Sequence, residues 1–331
     1  MDEQIIASWE RARSSLFTDV SGMRVTLLPG ERHLLKAIHL GRTSVKRKTD
    51  IKTDKLEKVT DRPFDEMKFN FLKVAPNEVL VDMAPHRVLV NASPLTFGHF
   101  LFCPFIEQKM NQKLTSQAIA TVLTFAKGFK RKDFHMMFNS LGGWASVNHL
   151  HFHGLFLGGN EWKEDEHRLP CEVERIMDKD CLLFPNGSFP VEKCREVGEC
   201  FYTASGSSVT LIDSHVLGIR LRSGSEDGFA GDVWSLIRAI LDLDIPHNLL
   251  IADSAETVFV FPRQIQQVNL LPYSLSNQGL NVAASETGGY IVCMDEPTYA
   301  NLTEEDVCVI CRRDVSLPKE TLAALVNNAF I

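Results

Sequence analysis

The stretch NHLHFHG, residues 148–154, places three histidines at alternate positions. Successive side chains of a β-strand point to opposite faces of the sheet, so this spacing predicts that His149, His151 and His153 share one face of a strand. We expect that strand to continue to about Leu157. Three imidazoles on one face of a strand indicate a metal site, a nucleophilic centre or a purely structural cluster.

The composition is typical of a soluble globular protein. The chain has 331 residues, of which 44% are hydrophobic and 23% charged, and its formal net charge is −7. This acidic balance gives no drive toward nucleic acid or an anionic membrane, and no apolar run is long enough for a membrane-spanning helix. The first residues lack the profile of a secretory signal, and the eight scattered cysteines are typical of reduced thiols. We therefore predict a cytoplasmic protein without a nucleic-acid or membrane partner.

The chain repeats one order of predicted elements. We interpret residues 1–62 as an N-terminal extension, 63–165 as a first half that carries the histidines, and 166–331 as a second half with C-terminal helices. Each half is predicted to run strand, strand, helix, strand, strand. This order favours an α+β fold of mostly antiparallel sheet with packed helices, built as two tandem halves. The second half has Thr257 and Phe259 roughly where the first has its histidines, so we expect only the first half to be reactive.

A polar loop with two glycines precedes the histidines. Its residues that offer hydrogen bonds or a close backbone approach are Asn139, Ser140, Gly142, Gly143 and Ser146. Glycines let backbone N–H groups come close to a ligand, which is the arrangement that cradles phosphate oxygens. We predict that these five residues bind the phosphate groups of a substrate.

A metal site is the rival interpretation of the histidines. Same-face neighbours on a strand lie about 6.5–7 Å apart, so two imidazoles chelate one ion readily, whereas a third rarely converges on it. No cysteine or acidic residue adjoins the motif in the sequence. We therefore expect no metal and no other cofactor. We favour nucleophilic catalysis, in which a neutral imidazole attacks an activated phosphorus and neighbouring groups hold the charge of the phosphoryl oxygens.

Residues 148–154, together with the pattern NxxPxxxGH at 91–99, resemble the histidine-triad superfamily. The segments FNFLK at 69–73 and FNSLGGWASVNHLHFHG at 138–154 are similar, more narrowly, to the GDP-hexose phosphorylases of that superfamily. The resemblance implies a histidine-triad-like fold. It also supports two halves, because galactose-1-phosphate uridylyltransferase, a more distant relative, is built from two triad-like halves. One departure is Gly154, which stands where triad hydrolases have an apolar residue.

The resemblance assigns roles to four histidines. It makes His151 the nucleophile, His149 the residue that orients and polarises it, and His153 a contact of the α-phosphate. His99 matches the histidine of the upstream Gly-His element and would sit behind the triad.

The resemblance also implies a reaction, with GDP-D-glucose as the favoured substrate. His151 would attack the α-phosphorus and expel glucose 1-phosphate, and inorganic phosphate would then release GDP from the guanylyl-histidine. Lys73, Arg263 and the basic tract at 42–55 are candidate cations for the incoming phosphate. The alternatives are a histidine-triad nucleotide hydrolase that releases GMP, and a metal- or nucleotide-binding protein without turnover. A homodimer is a possible assembly.

Overall fold

The computed structural model of the protein describes residues 1–16, 23–39, 58–157, 187–225, 227–266 and 280–331. Within these residues the strands are β1 (Arg24–Leu27), β2 (Leu35–Ile38), β3 (Val79–Met83), β4 (His86–Val90), β5 (Phe100–Cys103), β6 (Phe134–Asn139), β7 (Phe152–Phe156), β8 (Arg195–Tyr202), β9 (Ser208–Asp213), β10 (Leu217–Arg222), β11 (His247–Ala252), β12 (Thr257–Pro262) and β13 (Tyr290–Cys293). The helices are α1 (Asp2–Leu16), α2 (Ser116–Lys127), α3 (Phe229–Asp242), α4 (Ala284–Gly288), α5 (Glu296–Asn301), α6 (Glu304–Ile310) and α7 (Lys319–Phe330). The predicted boundary between residues 165 and 166 lies outside the described part of the chain.

The main sheet consists of two five-stranded halves joined at its centre. Its strand order is β3-β4-β5-β7-β6-β11-β12-β10-β9-β8, and every pairing is antiparallel. The strands of the two halves correspond in pairs when they are counted outward from the centre: β6 with β11, β7 with β12, β5 with β10, β4 with β9 and β3 with β8. The halves meet where Asn139 of β6 lies opposite Asn248 of β11. The α+β fold with mostly antiparallel sheet and two similar halves, as expected from the sequence, is confirmed.

Helices α2 and α3 occupy equivalent places in the two halves and contact each other. The hydroxyl of Thr115 accepts the N–H of Ala118, which caps the start of α2 as the sequence suggests for a residue of this type. Phe102 of β5 stacks on Phe125 of α2, so this helix covers one face of the first half. In the described residues we find no helix that is both long and apolar enough to cross a membrane.

Among the residues predicted to form an N-terminal extension, those that the structure describes, 1–16, 23–39 and 58–62, contact the rest of the chain. Strands β1 and β2 join β13 in a separate three-stranded sheet. Trp9 of α1 is fully buried, and its indole N–H donates to the main-chain oxygen of His99 at 3.0 Å. The first 62 residues therefore contribute elements that contact both the C-terminal part of the chain and a residue beside the histidine motif.

The strand that carries the histidines is shorter than predicted. β7 begins at Phe152, so His149 and His151 precede the strand instead of lying on it. The reason is that the main-chain N–H groups of Leu150 and His151 bond to groups outside the sheet. The N–H of Leu150 donates to the carbonyl of Met110, and the N–H of His151 donates to the side chain of Gln112, both at 2.9 Å.

Gly154 makes room for an aromatic ring. It lies opposite Phe100 of β5, and a Cβ at this position would lie 2.2 Å from the ring of Phe100. Phe100 in turn stacks on Phe129 and Phe134, so its ring has little freedom to move. The glycine therefore lets β7 pair closely with β5, and alternation along β7 places His153 on the opposite face of the sheet.

Substitution of Gly154 tests this packing. We expect Gly154→Ala to lower the free energy of unfolding by about 1–3 kcal/mol, because overpacking a filled core forces side chains and backbone to shift. The matched control is Gly231→Ala in α3, where an added Cβ meets nothing within 4 Å. This control should be neutral or stabilise the protein by up to about 1 kcal/mol, because alanine favours a helix. Urea denaturation of both variants measures the two effects, and equal effects would contradict the packing argument.

Candidate active site

A cavity of about 170 Å³ opens on the sheet face opposite α2. Part of its wall is a row of cross-strand neighbours, in which His153 of β7 lies between Leu101 of β5 and Met137 of β6. The rest of the wall comes from segments around residues 69–71, 91–95, 144–147 and 281–294. None of the described residues that line the cavity is a lysine or an arginine, and one of them, Glu286, carries a carboxylate.

His151 lines this cavity as a neutral imidazole with a defined tautomer. Its Nδ1 lies 2.8 Å from the main-chain oxygen of His149, which can only accept, so Nδ1 carries the proton and Nε2 keeps its lone pair. Burial lowers the pKa of His151 from 6.5 to about 4, and this outweighs the hydrogen bond to His149, which acts in the opposite direction. No described residue donates to Nε2. The ring therefore has the protonation state that a nitrogen nucleophile needs at neutral pH.

The side chain of Gln112 holds the main chain of His151 in place. Its Oε1 accepts the N–H of His151 at 2.9 Å, and its Nε2 donates to the carbonyls of His151 at 3.1 Å and Asn139 at 2.9 Å. The β6–β7 pairing ends at Met137 and His153, and its next same-face rung would join Asn139 and His151. The fully buried amide of Gln112 occupies that rung and mimics a peptide group. It satisfies three main-chain groups while holding the two strands apart.

The ring of His149 faces away from the cavity. Its Nδ1 accepts the N–H of Phe71 at 3.1 Å, and its Nε2 therefore donates to the carbonyl of Ile106 at 3.2 Å. The ring also packs edge-on against Phe64 and stacks on Phe71. Both ring nitrogens are used to hold segments together, and the atom of His149 that contacts His151 is the main-chain oxygen.

His153 and His99 form a hydrogen-bonded pair in the cavity wall. The N–H of Leu95 donates to Nδ1 of His99 at 2.9 Å, so the proton of His99 lies on Nε2. That Nε2 lies 3.0 Å from Nδ1 of His153, which can accept this hydrogen bond. The amide nitrogen of Asn91 lies beside both rings, at 2.9 Å from His99 and 3.4 Å from His153. The rings of His99 and His153 are thus hydrogen-bonded to each other beside His151.

The structure divides the five residues predicted to bind phosphate into two groups. Two of them, Asn139 and Ser146, line the cavity, and three do not: Ser140, Gly142 and Gly143.

The three residues outside the cavity wall pack against the approach to β11. The hydroxyl of Ser140 accepts the N–H of His247 at 2.8 Å. A Cβ on Gly142 would lie 2.8 Å from the ring of Pro246, and one on Gly143 would lie 2.9 Å from the carbonyl of His247. These glycines allow a close approach of the loop to the second half of the chain.

Two of the predicted cations for the incoming phosphate, Lys73 and Arg263, do not line the cavity. The ammonium of Lys73 donates to the carbonyls of Glu66 and Lys68. The guanidinium of Arg263 is fully buried and bonded to several protein oxygens, one of them on Asn248. The basic tract at 42–55 lies outside the described residues.

Two residues that bond to groups of the site, Gln112 and Asn248, were not predicted from the sequence. Each is a single amide in a segment without a histidine or glycine pattern, so no local signal distinguishes it from a surface residue. Both are fully buried, and their importance follows only from the contacts that the fold creates. Within the described part of the chain, three or more histidine, cysteine, aspartate or glutamate side chains nowhere converge in a way that could hold a metal ion.

The fold and the histidine site define a protein of the histidine-triad type with two similar halves. Among solved structures, the protein is similar to yeast Ap4A phosphorylase Apa2 crystallised with Ap4A, with a TM-score of 0.58, 14% identity, and 96% of this chain and 98% of that chain covered. Sequence models of the GDPGP1-like N-terminal and C-terminal domains match residues 1–155 and 225–330. The chain belongs to the GDPGP1-like family.

Several named proteins are similar to this chain over nearly its whole length. GDP-D-glucose phosphorylase 1 of Danio rerio is 28% identical, covering 99% of this chain and 90% of that protein. GDP-L-galactose phosphorylase 2 of Arabidopsis thaliana is 25% identical over 97% of this chain and 73% of that protein. GDP-D-glucose phosphorylase 1 of Homo sapiens is 26% identical over 98% of this chain and 83% of that protein.

Titration of His151 tests the predicted nucleophile directly. We expect ¹⁵N NMR of histidine-labelled protein to show His151 neutral, with its proton on Nδ1, from about pH 8 down to about pH 5. The pKa in the folded state is lowered from 6.5 to about 4. The contribution of this neutral ring to stability is therefore complete above about pH 6.5 and is lost as the pH falls toward 4. The His151→Asn variant assigns the signal, and a protonation midpoint near 6.5 would contradict the structure.

Replacement of Gln112 tests the spacer between β6 and β7. Gln112→Leu should lower the free energy of unfolding by about 2–4 kcal/mol, because it leaves buried main-chain groups without partners. The matched control is Gln264→Leu, since the side chain of Gln264 is exposed and also bonds to main-chain oxygens. We expect this control to cost less than about 1 kcal/mol. Chemical denaturation compares the two, and a small effect at Gln112 would show that the strands can close without the amide.

Proposed function

We propose that the protein is a GDP-hexose phosphorylase that converts GDP-D-glucose and inorganic phosphate to GDP and glucose 1-phosphate through a guanylyl-histidine. The single observation that carries the proposal is the state of His151, a buried neutral imidazole that lines the cavity and whose proton lies on Nδ1, which leaves Nε2 unprotonated. Two lines of similarity support the substrate. The chain belongs to the GDPGP1-like family, and its named relatives are GDP-hexose phosphorylases.

In the first half-reaction the lone pair of His151 Nε2 attacks the α-phosphorus of GDP-D-glucose. The bond between that phosphorus and the oxygen bridging to the β-phosphorus breaks, and glucose 1-phosphate leaves with the electron pair. The imidazole becomes positively charged as the P–N bond forms, and its Nδ1–H then donates a stronger bond to the carbonyl of His149. The leaving group is already a stable phosphate ester, so it needs little help from a general acid.

In the second half-reaction inorganic phosphate attacks the same phosphorus. One of its oxygens forms a new P–O bond while the P–N bond to His151 breaks, which yields GDP and restores the neutral ring. In both steps His153, which lines the cavity beside His151, contacts a non-bridging oxygen of the α-phosphate. Both half-reactions take place at the same histidine and use one set of phosphoryl contacts.

The products formed from GDP-D-glucose test this proposal. With inorganic phosphate we expect GDP and glucose 1-phosphate in equal amounts. Without phosphate we expect one equivalent of glucose 1-phosphate per enzyme and a guanylylated protein detectable by mass spectrometry. GMP produced steadily in phosphate-free buffer would identify a hydrolase instead. The same assay with GDP-L-galactose ranks the two hexoses by kcat/KM.

Substitution of the nucleophile tests its assignment. His151→Asn should lower the rate of guanylylation by at least about 10⁴-fold, because the covalent intermediate can no longer form. The matched control is His33→Asn, an exposed residue with a φ of 54°, a conformation that asparagine adopts readily. The control should retain wild-type turnover. Turnover of His151→Asn at the control rate would disprove the role of His151.

We also propose that the protein works in the cytosol. The six cysteines among the described residues are all free thiols, which is typical of a reducing compartment. The homodimer considered from the sequence stays a prediction, and sedimentation of the purified chain would test it.

A further inference from the structure

The cavity must hold a negatively charged phosphoryl group, although its described lining contains no lysine or arginine. The fully buried Arg263 follows β12 in the second half and does not line the cavity. Burial lowers the pKa of Arg263 to about 10, so its guanidinium stays charged at neutral pH. A chain of hydrogen bonds runs from this guanidinium to the cavity wall.

Two asparagines form that chain. Nη1 of Arg263 donates to Oδ1 of Asn248 at 2.9 Å. Nδ2 of Asn248 donates to Oδ1 of Asn139 at 2.7 Å, across the pair of residues that joins the two halves of the sheet. Asn139 lines the cavity together with His151 and His153.

The neighbouring groups allow each amide only one orientation. Arg263 can only donate, so it must face the oxygen of Asn248, whose nitrogen also donates to the carbonyl of Gly143 at 2.7 Å. The N–H of Ala284 also donates to Oδ1 of Asn139, at 2.8 Å, so the oxygen of Asn139 accepts from two donors. Rotation of either amide by 180° would place donor against donor. The Nδ2 protons of Asn139 meet no acceptor among the described residues.

We propose that Arg263 and Asn248 are positioning residues that hold the amide N–H group of Asn139 toward the α-phosphoryl group attacked by His151. Asn139 donates to a non-bridging oxygen of that group, and the donation strengthens as charge builds on the oxygen in the transition state. This inference rests on the proposed function. It extends that function by giving the second half, which lacks the histidines, a specific part in the chemistry.

The chain of hydrogen bonds from Arg263 through Asn248 to Asn139, which we call the relay, acts mainly by orienting the amide of Asn139. The carboxylate of Glu286 lies within electrostatic range of Arg263 and itself lines the cavity, so the proposed role of Arg263 does not depend on a net positive field there. A fixed N–H donor needs no reorganisation when the transition state forms, whereas a freely rotating amide would present its oxygen to the phosphate part of the time. Hydrogen bonds in series also polarise one another, which makes the last N–H a better donor.

A double-mutant cycle on the first half-reaction tests the relay. The variants are Asn139→Ala, Asn248→Asp and the double variant, and the readout is single-turnover release of glucose 1-phosphate from GDP-D-glucose without inorganic phosphate. The aspartate introduced by Asn248→Asp keeps an acceptor for Arg263 but cannot donate to Asn139. We expect Asn139→Ala to slow guanylylation about 100-fold, as loss of an oxyanion donor does, and Asn248→Asp to slow it about 10- to 100-fold. The double variant should be no slower than the slower single variant, because both changes remove the same donor.

Two results would overturn the relay. One is that the effects of the single variants multiply in the double variant, which would mean that Asn248 acts independently of Asn139, for example through its bond to Gly143. The other is wild-type guanylylation by Asn248→Asp. If Asn248→Asp fails to fold, Asn139→Asp replaces it, because this variant keeps the acceptor for Asn248 and Ala284 but presents an oxygen to the phosphoryl group. A loss smaller than about threefold in Asn139→Asp would then reject the proposed orientation.

The wild-type protein separates failure of the relay from failure of the function. If the wild type forms no guanylyl-His151 from GDP-D-glucose, the proposed function and the relay fail together. If the wild type forms the adduct and the cycle is multiplicative, the relay alone fails. Thermal unfolding of each variant, measured in parallel, identifies any loss of activity that follows from loss of the fold.

Discussion

The site depends on one amide inserted between two strands. β6 and β7 stop pairing beyond Met137 and His153, and the side chain of Gln112 fills the gap that follows. Because the chain before Phe152 is released from the ladder, it can turn so that the carbonyl of His149 reaches the ring of His151. A continuous strand would direct that carbonyl along the sheet, and the tautomer of His151 would then have no fixed partner.

Most of the described polar groups that line the cavity are uncharged. His151 accepts no proton at neutral pH because burial disfavours its charged form, and beside it the rings of His99 and His153 are hydrogen-bonded to each other. Uncharged donors suit a phosphoryl group that is transferred and released, because a buried ion pair would bind the ground state and the transition state alike. In the proposed relay the strongly buried Arg263 acts on the site without contacting it.

The two halves share a strand order but not a chemistry. In the second half β12 carries Thr257 and Phe259 in a fully buried strand, and these residues contribute packing instead of reactive groups. The pairing of β6 with β11 connects that half to the site, since it brings Asn248 opposite Asn139. The antiparallel pairing is local and regular, so a residue in one half has a defined neighbour in the other.

The sequence by itself determined the α+β class, the repeated order of elements and the histidines at the centre of the site, because alternation, helical periodicity and caps act over a few residues. The strand that the sequence predicts over the histidines is too long, because nothing in the local sequence indicates that the side chain of Gln112 bonds to the main chain there. The sequence also grouped Ser140 with Asn139, although only Asn139 lines the cavity. The protonation of each ring was decided by the tertiary structure alone, because a tautomer depends on which carbonyl or N–H lies within about 3 Å of the ring. Most of those partners come from segments far away in the chain, and even the carbonyl of His149 reaches its ring only because distant residues turn the backbone there.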